Sequence, residues 1–254
     1  MYPYLFGIEW IQTYDVLVFL GLLAALIVVR IYAQKLKLPY DVFRFYLILC
    51  LISIGLGFVF AFGFQQLYNY IDDMKNGVEY YPRGITFMGG LIGGAATFII
   101  GVKAFGNTEV KKYFFPMVSI AMAAVAVAHF FGRLGCTAAG CCYGVPTDSW
   151  IGIQFVTTSE KVVPTQLIEA IFLLFLSFGL LTLLEKNKWQ YNLFVYGGAY
   201  AVFRFIIEFY RDDARGEFLP FLSPSQWQVL FMFITVAVIF VFYMRKQHHM
   251  KIKA

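Results

Sequence analysis

Seven stretches of this chain are each apolar enough and long enough to cross about 30 Å of hydrocarbon. They are Tyr14 to Ala33, Val42 to Leu67, Ile85 to Ala104, Tyr113 to Phe131, Val163 to Leu184, Tyr191 to Tyr210 and Ser225 to Met244. At about 20 residues per spanning helix, seven helices take roughly 140 residues and leave about 110 for connections, too few for an additional soluble domain of ordinary size. The expected fold is therefore all-α: one polytopic membrane domain over residues 1–254 with seven transmembrane helices. Composition agrees, since only 14% of residues are charged and 60% are hydrophobic, against about a quarter charged in a soluble domain. The net charge of +5 is not a nucleic-acid footprint, which needs basic residues gathered on a water-exposed face; no nucleic acid is expected as a partner.

The basic residues instead set the orientation. When connections are assigned alternately to the two sides and the N-terminus lies outside, the inner side holds thirteen of the twenty basic residues and only the acids Asp41, Glu109 and Glu185. That side nets +10 and the outer side −5, which predicts an external N-terminus and a cytoplasmic C-terminus. Arg245, Lys246, Lys251 and Lys253 then meet anionic headgroups, each at about 1 kcal/mol. The two long connections, Tyr68 to Gly84 and Gly132 to Val162, carry turn formers such as Asn76-Gly77, Pro146 and Asp148, and share the outer side.

Glycine patches occur at Gly55-Leu56-Gly57, at Gly89-Gly90-Leu91-Ile92-Gly93-Gly94 and at Gly197-Gly198. Small residues at such spacing let membrane helices approach closely; a backbone held against a ligand is the alternative.

An ionisable side chain at membrane depth costs on the order of 3 kcal/mol, so each needs a partner, a cavity or a task. Arg204, Glu208 and Arg211 fall at i, i+4 and i+7 on the sixth span, His129 and Arg133 at i and i+4 where the fourth ends, and Glu169 five residues after Pro164 where the fifth begins. Helical spacing puts each set on one face. Structural ion pairs are one reading of these groups. The other rests on the excess of three arginines over two glutamates, because a guanidinium fork suits bidentate contact with a phosphate. A phospholipid headgroup would complete the pairing.

Four cysteines do not make a disulfide scaffold. Cys136, Cys141 and Cys142, close to Arg133, read as small, partly buried lining residues. A disulfide in an oxidising compartment and a thiol activated by Arg133 are alternatives. The Cys-x-x-Cys spacing expected of a zinc site is missing, so no metal is assigned.

The run Gly132-Arg133-Leu134-Gly135-Cys136-Thr137-Ala138-Ala139-Gly140-Cys141-Cys142-Tyr143-Gly144 resembles the loop G-R-x-G-N-F-x-N-x-E-x-x-G of bacterial prolipoprotein diacylglyceryl transferases. Phe87-Met88-Gly89-Gly90-Leu91-Ile92-Gly93 is similar to their F-H-G-G-L-I-G, and Pro164-Thr165-Gln166-Leu167-Ile168-Glu169 to P-[ST]-Q-L-Y-E. Arg204-Phe205-Ile206-Ile207-Glu208-Phe209-Tyr210-Arg211 is similar to R-F-x-x-E-F-x-R, and Leu222-Ser223 with Gln226 to L-S-x-x-Q. Three positions depart: Met88 stands where the family has histidine, Cys136 where it has asparagine and Cys141 where it has glutamate.

The resemblance implies a multi-pass enzyme of the bacterial plasma membrane whose partners are membrane lipids, phosphatidylglycerol and a prolipoprotein signal peptide with a lipobox cysteine. The diacylglyceryl group passes to that cysteine thiol as a thioether and glycerol phosphate leaves, without a cofactor. It further implies Arg133 and Arg204 as the phosphate clamp, with Glu208 orienting Arg204 or Arg211. His129 is a candidate proton acceptor beside a plain packing role. Substrate contact is expected at Gly89, Gly90, Gly93, Gly135, Cys136, Cys141, Tyr143, Gly144, Gln166, Glu169, Arg211 and Gln226. The altered positions keep two other readings open: a related transferase with a non-lipoprotein acceptor, and a non-catalytic phospholipid-binding membrane protein.

Overall fold

The computed structural model describes residues 4–5, 10–77, 79, 81, 84, 86–212 and 222–252, with the side chains of 72, 76, 87, 88, 224 and 246–252 excluded. Ile85, Lys253 and the side chains of Met88, Lys246 and Lys251 therefore lie outside the described residues. Within them the chain is helical and no strand occurs. The helices are α1 (Thr13–Lys35), α2 (Tyr40–Asn76), α3 (Phe87–Phe105), α4 (Thr108–Lys112), α5 (Phe114–Ala139), α6 (Thr165–Glu185), α7 (Asn192–Ile207) and α8 (Pro224–Ile252). Helix is the form that satisfies every backbone N–H and C=O from within one segment, as hydrocarbon requires.

Six helical segments among the described residues are long and apolar enough to cross a membrane: Thr13–Lys35, Tyr40–Lys75, Phe114–Ala139, Thr165–Glu185, Trp189–Tyr210 and Ser225–Arg245. The third expected span is helical as well, but its apolar part, Gly89–Phe105, is shorter than these six.

Several boundaries differ from those read off the apolar runs, for one reason. Hydropathy reports membrane depth, whereas a helix continues for as long as its own hydrogen bonds and packing allow. At 37 residues, α2 is about 55 Å long, far more than the hydrocarbon, and it absorbs the first half of the expected Tyr68 to Gly84 connection. Its polar extension finds partners for its side chains: within the helix Gln65 Nε2 donates to Asn69 Oδ1 at 3.0 Å, and Asp73 accepts the N–H of Tyr81 beyond the helix end at 3.4 Å. Gly77, left-handed at φ 65°, ends it. Likewise α5 runs eight residues past Phe131, into the first quarter of the expected Gly132 to Val162 connection. There Gly135 lets α1 close in, since a Cβ would stand 2.9 Å from the Tyr14 ring.

The chain forms two compact units, one of Met1–Tyr32 with Val118–Ala254 and the other Ala33–Met117. In the second unit α2 and α3 cross through their glycines. A Cβ on Gly57 would meet the Gly90 carbonyl oxygen at 3.1 Å, and one on Gly94 the Ser53 carbonyl at 3.2 Å. Gly55 faces open space. Replacing Gly57 with leucine is thus expected to overpack the crossing by about 1–3 kcal/mol and lower the thermal midpoint in detergent, with Gly55→Leu unchanged. Equal midpoints for the two variants would refute this contact.

In the first unit the core is Ile120, Ala123 and Ala126 of α5, Ala170, Leu173 and Leu180 of α6, and Ala201 of α7. Asn192, fully buried, ties α7 to the other two by donating to the Ser119 and Leu180 carbonyls at 3.1 and 3.3 Å. Gly197 packs on Val236 of α8. These contacts fix the facing sides of α5, α6 and α7, which carry His129 and Arg133, Glu169 and Arg204 respectively.

Candidate active site

Glu169 is the hub. It lies on the second turn of α6 with no exposed surface, where an unpaired carboxylate would cost several kcal/mol. Groups from α5, α7 and the chain leaving α7 surround it. Its Oε1 is 3.1 Å from Arg133 Nε and 3.6 Å from His129 Nε2, and accepts the Tyr200 hydroxyl at 3.0 Å. Its Oε2 is 3.5 Å from Arg204 Nη1 and 4.0 Å from Arg211 Nη1. Tyr200 also packs edge-on to the His129 ring at 5.2 Å.

A second carboxylate holds the far side of Arg204. Arg204 Nη2 lies 2.7 Å from Glu208 Oε2, and Glu208 Oε1 accepts the Ser223 hydroxyl at 2.9 Å. Ser223 in turn donates its N–H to Gln226 Oε1 at 2.9 Å. Arg204, only 5% exposed, is thus gripped between two glutamates, which fixes the plane of its guanidinium.

The i, i+4, i+7 helical stripe needs correction at its third member. The backbone tightens to a 3₁₀ turn over Glu208–Tyr210 and Arg211 is extended at φ −93°, ψ 149°. Arg211 therefore reaches Glu208 from a departing strand-like segment, with its Nε at 3.9 Å, rather than from a helix face. The nearer partner of Glu208 is Arg204.

The segment after α5 is stitched to this cluster. Gly144 donates to the Val163 carbonyl at 2.8 Å and Val145 to the Tyr210 carbonyl at 3.0 Å, and Gly144 bridges Arg211. Position 144 requires glycine, because a Cβ would run into the Tyr210 carbonyl. Tyr143 stacks on Phe155 at 6.0 Å, and Thr165 donates to the Cys142 carbonyl at 2.9 Å. Beside Thr165, Gln166 is fully buried and neither atom of its amide makes a hydrogen bond among the described residues.

Cys136, Cys141 and Cys142 converge, each Sγ within 4.8 Å of the others, and all are free thiols. Hydrogen bonding from the Cys136 thiol, then from Cys141, with the charges of Arg211 and Arg133, holds the Cys142 thiol well below the ordinary range against its burial. Burial and the neighbouring Cys142 push Cys141 up.

The sequence profile described as "Prolipoprotein diacylglyceryl transferase" matches residues 3–243. The chain belongs to this family. Relatives of the prolipoprotein diacylglyceryl transferase family include the phosphatidylglycerol–prolipoprotein diacylglyceryl transferase of Clostridium tetani, 34% identical over 244 residues covering 94% of each chain. That of Helicobacter pylori strain G27 is 31% identical over 75% of this chain and 66% of its own. A second transferase of Clostridium perfringens is 35% identical over 61% and 60%.

Of the residues singled out in sequence, His129, Arg133, Glu169, Arg204, Glu208 and Arg211 form one cluster in this prolipoprotein diacylglyceryl transferase family member, with Gln226 attached through Ser223. Cys136 and Cys141 join Cys142 beside it, and Gly135 packs on Tyr14. Gly89, Gly90 and Gly93 belong to the other unit, where they face α2: a Cβ on Gly89 would meet the Phe60 carbonyl at 2.7 Å, and one on Gly93 the Phe60 ring. Sequence reasoning missed Tyr200, Thr165 and the part played by Cys142. Tyr200 was within reach, since it stands four residues before Arg204 and extends the same helical stripe.

Proposed function

We propose that this protein transfers the diacylglyceryl group of phosphatidylglycerol to the lipobox cysteine thiol of a prolipoprotein, forming a thioether and releasing glycerol phosphate. One observation carries the reading. Arg133 and Arg204, on different helices, both reach the Glu169 carboxylate, at 3.1 and 3.5 Å, while Arg204 also holds Glu208 at 2.7 Å. Together with Arg211 and Glu208 the five groups net +1, and they do so at a place built by buried side chains. In the reaction a thiolate attacks the glyceryl carbon and the carbon–oxygen bond to phosphate breaks, so negative charge grows on the leaving phosphate. Preorganised donors act on such developing charge in a water-poor site.

In this scheme the arginines bind and stabilise the phosphate, Glu208 and Glu169 hold them in position, and His129 receives the proton of the acceptor thiol. The unpartnered Gln166 amide is assigned to the substrate as a further hydrogen-bonding group. The +10 inner and −5 outer charge supports seven spans in one membrane domain, with the N-terminus outside and the C-terminus in the cytoplasm of a bacterial cell. The site then serves precursors as they emerge from the plasma membrane.

The test is mass spectrometry of a synthetic lipobox peptide incubated with purified protein and phosphatidylglycerol. A gain of one diacylglyceryl group on the cysteine, with equimolar glycerol phosphate, is the expected result. Release of glycerol phosphate without peptide modification would favour a different acceptor, a reading to which the altered positions Cys136 and Cys141 give some weight. No release at all would overturn the enzymatic reading.

A further inference from the structure

The three sulfurs converge through a local device that the sequence spells out. Helix α5 ends in a Schellman turn: Gly140, left-handed at φ 67°, donates to the Thr137 carbonyl at 3.2 Å, and Cys141 donates to the Cys136 carbonyl at 3.1 Å. That second bond folds Cys141 back onto the level of Cys136, and the Cys141 thiol contacts the same carbonyl at 3.7 Å. Cys142 then adopts φ 64°, a conformation that costs a non-glycine residue on the order of 1 kcal/mol, and its carbonyl is pinned by Thr165. The outcome is a set of three thiols whose sulfurs all lie within 4.8 Å of one another. The spacing C-x₄-C-C replaces the usual zinc pairing because the turn, not a hairpin knuckle, brings the ligands together.

We propose that Cys136, Cys141 and Cys142 bind a divalent thiophilic cation, Zn²⁺, as three thiolate ligands and leave its fourth position open to the thiol of the acceptor. Zinc–sulfur bonds of about 2.3 Å in a tetrahedron put sulfurs about 3.8 Å apart, so the trio needs to draw in by no more than about 1 Å. Three thiolates around Zn²⁺ carry one net negative charge, which Arg133 and Arg211, both electrostatic neighbours of Cys142, offset. Three protein ligands with an open fourth position are the arrangement of a catalytic rather than a structural zinc.

The metal site stands on the sulfur geometry alone; the role of the fourth position rests on the transfer reading given above. In that role the acceptor S–H bond breaks, the sulfur bonds to zinc and the proton passes to His129. The sulfur's electron pair then forms the new bond to the glyceryl carbon while the carbon–oxygen bond breaks onto phosphate. Zinc changes neither charge nor oxidation state. A metal-bound thiol is deprotonated outright, which supplies the thiolate nucleophile.

Elemental analysis of the full-length protein purified without chelator should find about one zinc per chain, falling below about a tenth in Cys136→Ser, Cys141→Ser and Cys142→Ser. Cys50→Ser, which alters a cysteine of α2, should keep its zinc. Co²⁺ exchanged into the protein should give sulfur-to-metal charge-transfer bands and intense tetrahedral d–d bands. Adding lipobox peptide should shift those d–d bands, and a peptide with serine at the lipobox position should leave them alone. Wild-type zinc content no higher than that of the serine variants, or a disulfide within the trio in non-reducing mass spectra, overturns the metal site. Zinc bound with no band shift on adding peptide overturns the role of the fourth position. Zinc bound and bands shifted, but no diacylglyceryl transfer, upholds the site while the transfer reading fails.

Discussion

Glu169→Gln is expected to abolish transfer and to destabilise the protein together. The side chain has no exposed surface and touches three guanidiniums, His129 and Tyr200. Glutamine keeps the volume but removes the charge, so Arg133, Arg204 and Arg211 are left facing one another with Glu208 as the remaining carboxylate of the cluster. Breaking a buried ion pair by deleting one partner costs about 3–5 kcal/mol, and here one deletion touches several pairs. Thermal unfolding in nanodiscs should fall by several degrees, and glycerol phosphate release by more than about a hundredfold. Glu169→Asp separates the two effects, since it retains the charge on a shorter arm. It should recover most of the stability while activity stays low, because arginine positions are set by reach as well as by charge. Near-normal turnover and an unshifted midpoint in Glu169→Gln would mean that the arginines are organised by something else.

That hub was half legible in the sequence. Pro164 to Glu169 marks a helix start, and an intramembrane glutamate demands a partner, yet no spacing rule could tell that the same carboxylate serves α5, α7 and the chain beyond α7. Pairing within one helix is readable at i, i+4, and Arg204 with Glu208 obeys it. Pairing between helices depends on their rotation about their own axes, which the buried small residues and Asn192 decide. The failure at Arg211 has a sharper cause. An i+7 prediction assumes unbroken α-geometry, and the 3₁₀ turn over Glu208–Tyr210 changes the angle per residue just before it.

The apolar runs located the helices but not their ends. Residues 132–139 read as loop because their hydropathy drops, although six of the eight are small residues and Gly135 among them lets Tyr14 approach. Two of the three glycine patches were split by the fold, Gly57 against Gly90 but Gly55 facing open space, and Gly197 against Val236 but Gly198 facing open space. Nothing in the local sequence separates two glycines one residue apart until the neighbour that covers one of them is known. The sulfur trio shows the converse: Gly140 in front of Cys141-Cys142 encodes a helix-ending turn, so the convergence was written locally and needed only the turn to be recognised.

Arg133→Lys and Arg204→Lys should both cut the rate of transfer by about two to three powers of ten, but they should differ in stability. Lysine keeps the positive charge and loses the planar fork that two phosphate oxygens can engage at once. Arg133 is the more open of the two, with 16% of its side chain exposed against 5% for Arg204, and the carboxylate it holds is Glu169. Its replacement should therefore leave the thermal midpoint close to wild type while kcat collapses. Arg204 spans Glu169 and Glu208 and also donates to Ser225 at 3.5 Å, three directions that a single ammonium on a flexible stem does not cover. Its lysine variant should lose stability as well as rate. Steady-state glycerol phosphate release at varied phosphatidylglycerol separates the terms: a loss confined to kcat marks contact made in the transition state, whereas a rise in KM at constant kcat marks uniform binding of the lipid. An Arg133→Lys enzyme within threefold of wild type would show that a point charge suffices there and that the bidentate clamp is wrong.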